Sequence, residues 1–454
     1  MATRSTASSS TDPAGAGPGP DEVDLGRRSF FRHFGRSALL TAGQVAGAAE
    51  AVRRGTAAAA SELLDSDPVE IGSPQAVSKA PDQRTTEQRT IEQRTDAAAG
   101  YRSPYRLDGD VLLLLDQRGL PERLELMPCH DGRDVARAIR LGAVRGGALL
   151  AQIAAYGVAL TVQRHRERRP SAVRGEIDAD MSSLRHARPS ARALTSAMDR
   201  MRARQGSLPP DGDPAILADE LRREADAIAS EAMLDHAALA RHGAEWLPRV
   251  EDRPVQLLLH GETGPMASGM IGTGLGIVQR LVAEGRAVHA WVTEGRPTGE
   301  GTRITTWELR HAGVPHTVLP DAAVGWLLRH QPPAAILLGA EWLAANGDAA
   351  VFAGGGAIAA LAACHSAEAV PVLLCAPASA FDPATPDGSA IPDDLRTGRE
   401  AGSLIHPGTP PGTQVIIPAV DIARHEHLAA IATAAGIVRP PFGAGLIPIR
   451  EVAG

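Results

Sequence analysis

From Pro254 onward the chain alternates short, unbroken apolar runs with helix-like segments, and this texture constrains its fold more than any other feature. The runs are Val255–His260, Val288–Thr293, 334–339, 371–375 and 414–418, and helix-like stretches at 271–284, 305–311 and 357–367 separate most of them. A strand with one wet face alternates apolar and polar residues, because successive side chains point to opposite sides. Strands that are apolar throughout need cover on both faces, which helices supply in a parallel sheet. The expected fold class is therefore α/β, with a Rossmann-like parallel-sheet domain over 251–454. Ligands of such sheets bind beyond the carboxyl ends of the strands, so the residues that follow each run are the candidate site.

Upstream the pattern is helical. Residues 133–165 and 213–244 carry Ala- and Leu-rich helical spacing, and 111–121 reads as a strand and turn. These imply a mostly helical N-terminal domain with a small sheet over 105–250. Residues 1–26, rich in Ser, Ala, Gly, Pro and Asp without periodicity, read as a disordered tail. Over 27–65, Phe30, Phe34, Ala38, Val45, Ala49 and Val52 recur at helical steps, which predicts an amphipathic helix suited to docking a protein partner or the chain itself. Arg27-Arg28-Ser29-Phe30-Phe31 has the outline of an export signal, but Gln44 and Glu50 soon interrupt the apolar region. Residues 66–104, with the echoing Asp82-Gln83-Arg84-Thr85, Glu87-Gln88-Arg89-Thr90 and Glu92-Gln93-Arg94-Thr95, read as a low-complexity linker.

At 454 residues the chain exceeds one ordinary core. A net charge of −7 excludes a nucleic-acid coat but leaves room for a local basic pocket. Cys129, Cys364 and Cys375 fit no zinc or CxxC spacing, so reduced thiols and a cytoplasmic location are expected, with no metal. No apolar run reaches the roughly 18 to 20 residues of a membrane span. Gly272-Thr273-Gly274-Leu275-Gly276, with Glu294 further on, mimics a dinucleotide fingerprint. Gly261-Glu262-Thr263-Gly264 already occupies that strand-to-helix turn, however, and no cofactor is expected. Asp382, Asp387, Asp393 and Asp394 read as an acidic loop, and His425 and His427 as a solvated helix face near Asp421.

A longer set of segments runs in order through both domains. It includes Leu115-Asp116-Gln117-Arg118, Val144-Arg145-Gly146-Gly147, Ala187-Arg188-Pro189-Ser190 and Glu294-Gly295-Arg296-Pro297. It continues with Arg303-Ile304-Thr305-Thr306-Trp307-Glu308-Leu309, Asn346-Gly347-Asp348, Ile391-Pro392 and Arg439-Pro440-Pro441. From about 105 to 445 the chain resembles the family of methylthioribose-1-phosphate isomerases and eIF2B α, β and δ subunits. The resemblance implies an aldose–ketose isomerase acting on a 5-modified ribose 1-phosphate, and a homodimer. The alternative it carries is a non-catalytic, eIF2B-like regulatory or ligand-sensing subunit.

The resemblance places substrate contacts at Arg145, Gly146, Gly147 and Arg188, arginine being suited to a phosphate through its planar fork. Where the family has its catalytic cysteine stands Gly261, which has no side chain to move a proton. The family's catalytic aspartate is Glu341, followed by Trp342 in place of arginine. An Asn-Lys pair is Val351-Phe352, and a substrate-contacting glutamine is Glu300. Glu341 is the expected acid/base, with Glu262 or His260 as the second group. His260 has an equally plain account as a strand-end residue bonded to backbone. Val351, Phe352 and Glu300 are expected to line the ligand site, and Val351, Phe352 and Trp342 point to a ligand less anionic or more apolar than methylthioribose phosphate.

Overall fold

A computed structural model describes residues 103–364, 369–397, 409–410 and 412–446. The tail, the amphipathic segment with its export-like arginines, and all but the last two residues of the linker lie outside the described residues. The chain opens with an antiparallel sheet of β1 (Tyr105–Asp108), β2 (Val111–Leu115) and β3 (Leu126–Cys129), in that order. Five helices follow: α1 (Gly132–Arg140), α2 (Gly147–His165), α3 (Pro170–Arg185), α4 (Arg192–Gly206) and α5 (Pro214–Trp246). The stretch expected to be helical over 133–165 is two helices, because Gly142 and Gly146 take φ of +67° and +86° between them. An L side chain rarely adopts such angles, so glycine at these positions permits the break.

Helix α2 is buried from Gly147 through Val162, as its lack of a polar face requires. Leu112 and Leu114 of the small sheet close one core with Leu149, Ile153 and Tyr156 of α2 and with Leu194 and Met198 of α4. Asp213 caps α5 by accepting from Ala215 N–H, and Pro214 fills its first turn. Further along, Leu239, Ala240 and Ala244 of α5 leave that core and pack with Leu257, Leu275 and Val278. One long helix thus serves two cores.

The second region alternates β4 (Val255–His260), α6 (Pro265–Ser268), α7 (Gly274–Ala283), β5 (Val288–Thr293), α8 (Thr306–His311), β6 (His316–Leu319), α9 (Val324–His330) and β7 (Ala335–Ala344). It continues through β8 (Ala349–Phe352), α10 (Gly355–Cys364), β9 (Val372–Cys375), β10 (Phe381–Asp382), β11 (Leu395–Thr397), β12 (Ile416–Pro418), β13 (Val420–Ala423), β14 (Ala430–Thr433) and β15 (Gly436–Val438). The large sheet runs β15-β14-β9-β7-β4-β5-β6, parallel except for the terminal β14–β15 hairpin. Both faces are covered, which is why its strands are continuous apolar runs. Leu258, Ile336, Leu338 and Leu374 pack on one side, and Leu257, Leu259, Leu337 and Leu373 on the other.

Two expectations need correction. The run at 414–418 is no strand of this sheet; among the described residues β12 pairs only with β11, as a separate antiparallel ribbon. Pro418 has no N–H to donate, which disfavours a central strand. The neighbour of β9 is instead β14, formed by the small apolar residues Ala430–Thr433. The run at 334–339 also continues to Ala344, where β7 leaves the main sheet to pair with β8.

Candidate active site

The carboxyl end of β4 meets the start of α2, and a cleft of about 860 Å³, including its open mouth, lies between them. Beyond His260 the chain turns at Gly261, with φ +82°, into the loop that carries Glu262. Polar side chains hold this loop from outside. Gln117 Nε2 donates to Met266 O at 2.8 Å, Gln152 Nε2 to Ser268 O at 2.8 Å, and Met266 N–H donates to Glu308 Oε1 at 2.8 Å. Buried peptide groups cost free energy unless paired, so these side chains stabilise one loop conformation.

Two glycines bring α2 against that loop. A Cβ on Gly146 would stand 2.3 Å from Ala267 O, and one on Gly147 would stand 2.7 Å from Glu341 Oε2. Glu341 itself comes from β7 at a register irregularity between Ala340 and Trp342. Such a bulge re-aims a side chain, here from the sheet face toward the cleft.

Arg145 and Arg188 enter the cleft from the helical side. Arg145 Nη1 lies 2.6 Å from Glu300 Oε1 and donates to Thr298 Oγ1 at 3.4 Å. Glu300 is fully buried at the entry to a π-helical turn, Gly301–Thr305, of a kind often found at functional sites. Arg188 Nε lies 2.7 Å from Asp394 Oδ2 and donates to Ser190 Oγ at 3.3 Å, and Ser190 Oγ donates to Asp394 Oδ2 at 2.8 Å.

Burial dominates the acid–base behaviour of the cleft. Glu262 is pushed up to about 8, first by desolvation and then by the charge of Glu300, while Arg145 and Arg188 pull it down. Glu341 is raised by burial, with Arg188 and the Gly147 amide favouring its charged form. Glu262 Oε1 and Glu341 Oε2 are buried and close no hydrogen bond. Behind them Glu308 is pushed up to about 8, again mainly by burial.

His260 is held on both sides. Nδ1 lies 2.8 Å from Thr293 Oγ1 and Nε2 lies 3.2 Å from Ala353 O. A carbonyl only accepts, so the proton sits on Nε2 and Nδ1 accepts from the Thr293 hydroxyl. Burial lowers the pKa and keeps the ring neutral, and it stands edge-on to Phe352 at 5.4 Å.

Arg145, Gly146, Gly147, Arg188, His260, Glu262, Glu341 and Phe352 therefore line one cleft. Glu300 lies behind Arg145. Val351 is 1% exposed and packs into the core, and Trp342 points into a separate cluster with Ile391, donating to Thr385 Oγ1 at 3.2 Å. Sequence reasoning missed Asp394, which reads only as part of an acidic loop, and the cleft-lining Ile417, Pro418 and Ala419. The neighbouring Ile391-Pro392 was the only signal near Asp394. Among the glycines that mimic a dinucleotide fingerprint, a Cβ on Gly272 would lie 2.4 Å from Thr263 O and one on Gly274 3.1 Å from Thr263 Oγ1, so they serve packing against the loop. His425 and His427 lie on a single 3-10 turn, not a helix face, where His425 Nδ1 is 2.8 Å from Asp348 Oδ1.

Together these features define a Rossmann-like α/β protein whose ligand cleft sits at the strand ends beneath a helical layer. The chain belongs to the initiation factor 2 subunit family, which it matches over residues 143–440. It is 36% identical to a methylthioribose-1-phosphate isomerase of Chloroflexus aurantiacus over 343 residues, 75% of this chain and 96% of that protein. It is 39% identical to one from an Anaeromyxobacter species over 344 residues, 74% and 94% of the two chains. Among solved structures, the 5-methylthioribose 1-phosphate isomerase of Pyrococcus horikoshii superposes with a TM-score of 0.67 at 26% identity, covering 80% of this chain and 99% of that one. The eIF-2B delta subunit of A. fulgidus does so with a TM-score of 0.63 at 26% identity, covering 77% and 99%.

Proposed function

We propose that this chain is an aldose–ketose isomerase acting on a 5-modified ribose 1-phosphate, with Glu262 and Glu341 as its proton-transfer pair. The observation that carries this is the convergence of two carboxyl groups, each with a buried oxygen that closes no hydrogen bond, on the cleft that also holds Arg188. The relatives named as methylthioribose-1-phosphate isomerases supply the substrate class.

The reaction needs one neutral acid and one charged base. Near pH 7 Glu262, pushed up to about 8, holds its proton and serves as the acid. It protonates the ring oxygen as the bond from C1 to that oxygen breaks. Burial raises Glu341 as well, and Arg188 and the Gly147 amide act against that rise; in its charged form Glu341 takes the C2 hydroxyl proton as the C2 carbonyl forms. The hydrogen on C2 moves to C1, so atoms and charge balance. His260, with both nitrogens engaged, acts as a wall and a brace for Phe352.

Purified protein offered methylthioribose 1-phosphate, 5-deoxyribose 1-phosphate and ribose 1,5-bisphosphate should form the matching ketose from at least one. Glu341→Gln should lower kcat by about 10²- to 10⁴-fold, the range of a general acid or base. Absence of turnover on every aldose 1-phosphate sinks the proposal.

Gly261 in the place of a catalytic thiol favours a second reading, a non-catalytic eIF2B-like regulatory or ligand-sensing subunit. A partner bound through residues 27–65 would support it, and a chain lacking 1–100 that keeps all its partners would count against it. A homodimer is proposed on the family resemblance. A cytoplasmic location is proposed on Cys129, Cys364 and Cys375 all being unpaired. No helix among the described residues is long and apolar enough to cross a membrane.

A further inference from the structure

The two arginines on the helical side of the cleft are committed differently. Arg145 directs Nη1 to Glu300 Oε1 at 2.6 Å and to Thr298 Oγ1 at 3.4 Å. Its Nη2 is turned back on its own chain, 3.1 Å from where a Cβ on Gly142 would stand. Glu300 is fully buried, its Oε2 has no hydrogen-bond partner, and Arg145 is its only ion-pair partner among the described residues. A buried carboxylate cannot lean on water to spread its charge, so it holds its cation tightly, and removal of either partner strands the other.

Arg188 presents the opposite arrangement. Asp394 and Ser190 grip its inner nitrogen, Nε, at 2.7 and 3.3 Å. Nη1 and Nη2 make no hydrogen bond among the described residues, and the side chain lines the cleft at 14% exposure. The outer edge of a guanidinium is the part that meets an anion through two parallel hydrogen bonds. Arg296 also lines the cleft, but it is exposed, where water and salt screen its charge.

We propose that Glu300 is a specificity residue of this cleft: it occupies Arg145 as a built-in anion and leaves Arg188 as the anchor for the ligand. A phosphate set against Arg145 would also face the carboxylate of Glu300, so the ligand's phosphate is directed to Arg188 and away from Arg145. This rests on the reading of the cleft as a sugar-phosphate site and narrows it.

The test is titration calorimetry of the full-length protein with inorganic phosphate at fixed pH and salt, for wild type, Glu300→Gln, Arg188→Gln and the double variant Arg145→Met/Glu300→Gln. Glu300→Gln should tighten phosphate about tenfold by releasing Arg145. The double variant should lose that gain, and, having no stranded charge, it also controls for misfolding together with thermal unfolding of each protein. Arg188→Gln should weaken phosphate at least tenfold. A gain below threefold in Glu300→Gln, a gain that survives in the double variant, or wild-type affinity in Arg188→Gln overturns the proposal. Turnover of aldose 1-phosphates is scored separately. Its absence beside a clear gain in Glu300→Gln removes the isomerase reading alone, and turnover without the gain removes only the role of Glu300.

Discussion

Phe352 closes over Gly261: a Cβ built on Gly261 would lie 2.6 Å from Phe352 Cβ and 3.2 Å from its Cγ. Gly261 also holds φ at +82°, where an L side chain is strained. The two positions are therefore coupled, and the room that a thiol at 261 would need is filled from β8. Any residue but glycine at 352 brings the same Cβ, so a thiol side chain is not accommodated by changing position 261 alone.

Gly261→Ala should accordingly destabilise the protein by about 3 kcal/mol, roughly half from the backbone angle and half from overpacking. In a Phe352→Gly background the same change should cost about half as much. Urea unfolding of the four proteins of this cycle measures the coupling, and equal costs in both backgrounds would show the two residues to be independent.

Glu308 should make stability depend on pH. Its folded pKa is raised from 4.5 to about 8 by burial, so between those values the folded state holds a proton that the unfolded state has lost. Stability from this group is then fully present below about pH 4.5, falls as pH rises, and is lost by about pH 8, by an amount on the order of a few kcal/mol. Glu262, raised for the same first reason, contributes with the same sign. Glu308→Gln should flatten the fall between pH 5 and 8 measured by urea unfolding. A slope identical to wild type would contradict the buried, protonated state of Glu308.

Gly147→Ala separates stability from chemistry. Alanine in a first helical turn gains about 0.5 to 1 kcal/mol in intrinsic preference. Here, however, its methyl would sit 2.7 Å from Glu341 Oε2 and displace that carboxyl. The expected outcome is near-normal thermal stability with kcat reduced about tenfold or more on whichever aldose 1-phosphate is turned over. Unchanged kcat would mean that Glu341 moves without consequence.

The parallel sheet was legible because its strands are short apolar runs, and β4 and β5 coincide with the runs at Val255–His260 and Val288–Thr293. Strand β14 escaped because Ala430–Thr433 is small and brief, and β12 misled because its apolar run carries Pro418. The residues after β4 and near the end of β7 were the right place to look for the cleft. Asp394 was hidden for a different reason: a carboxylate in an acidic loop carries no local mark of the arginine it will meet.

By itself the sequence determined the layered α/β class, the glycine-bearing turns and the absence of any side chain at Gly261, since apolar run length, backbone freedom and side-chain chemistry are local properties. Only the tertiary structure decided that Arg145 is taken by Glu300 while Arg188 is held at its inner nitrogen by Asp394 and Ser190. It alone turned Val351 inward and set Phe352 over Gly261. Those outcomes depend on which distant segments are pressed together and on the low polarity of the space between them, and no pattern along the chain encodes either.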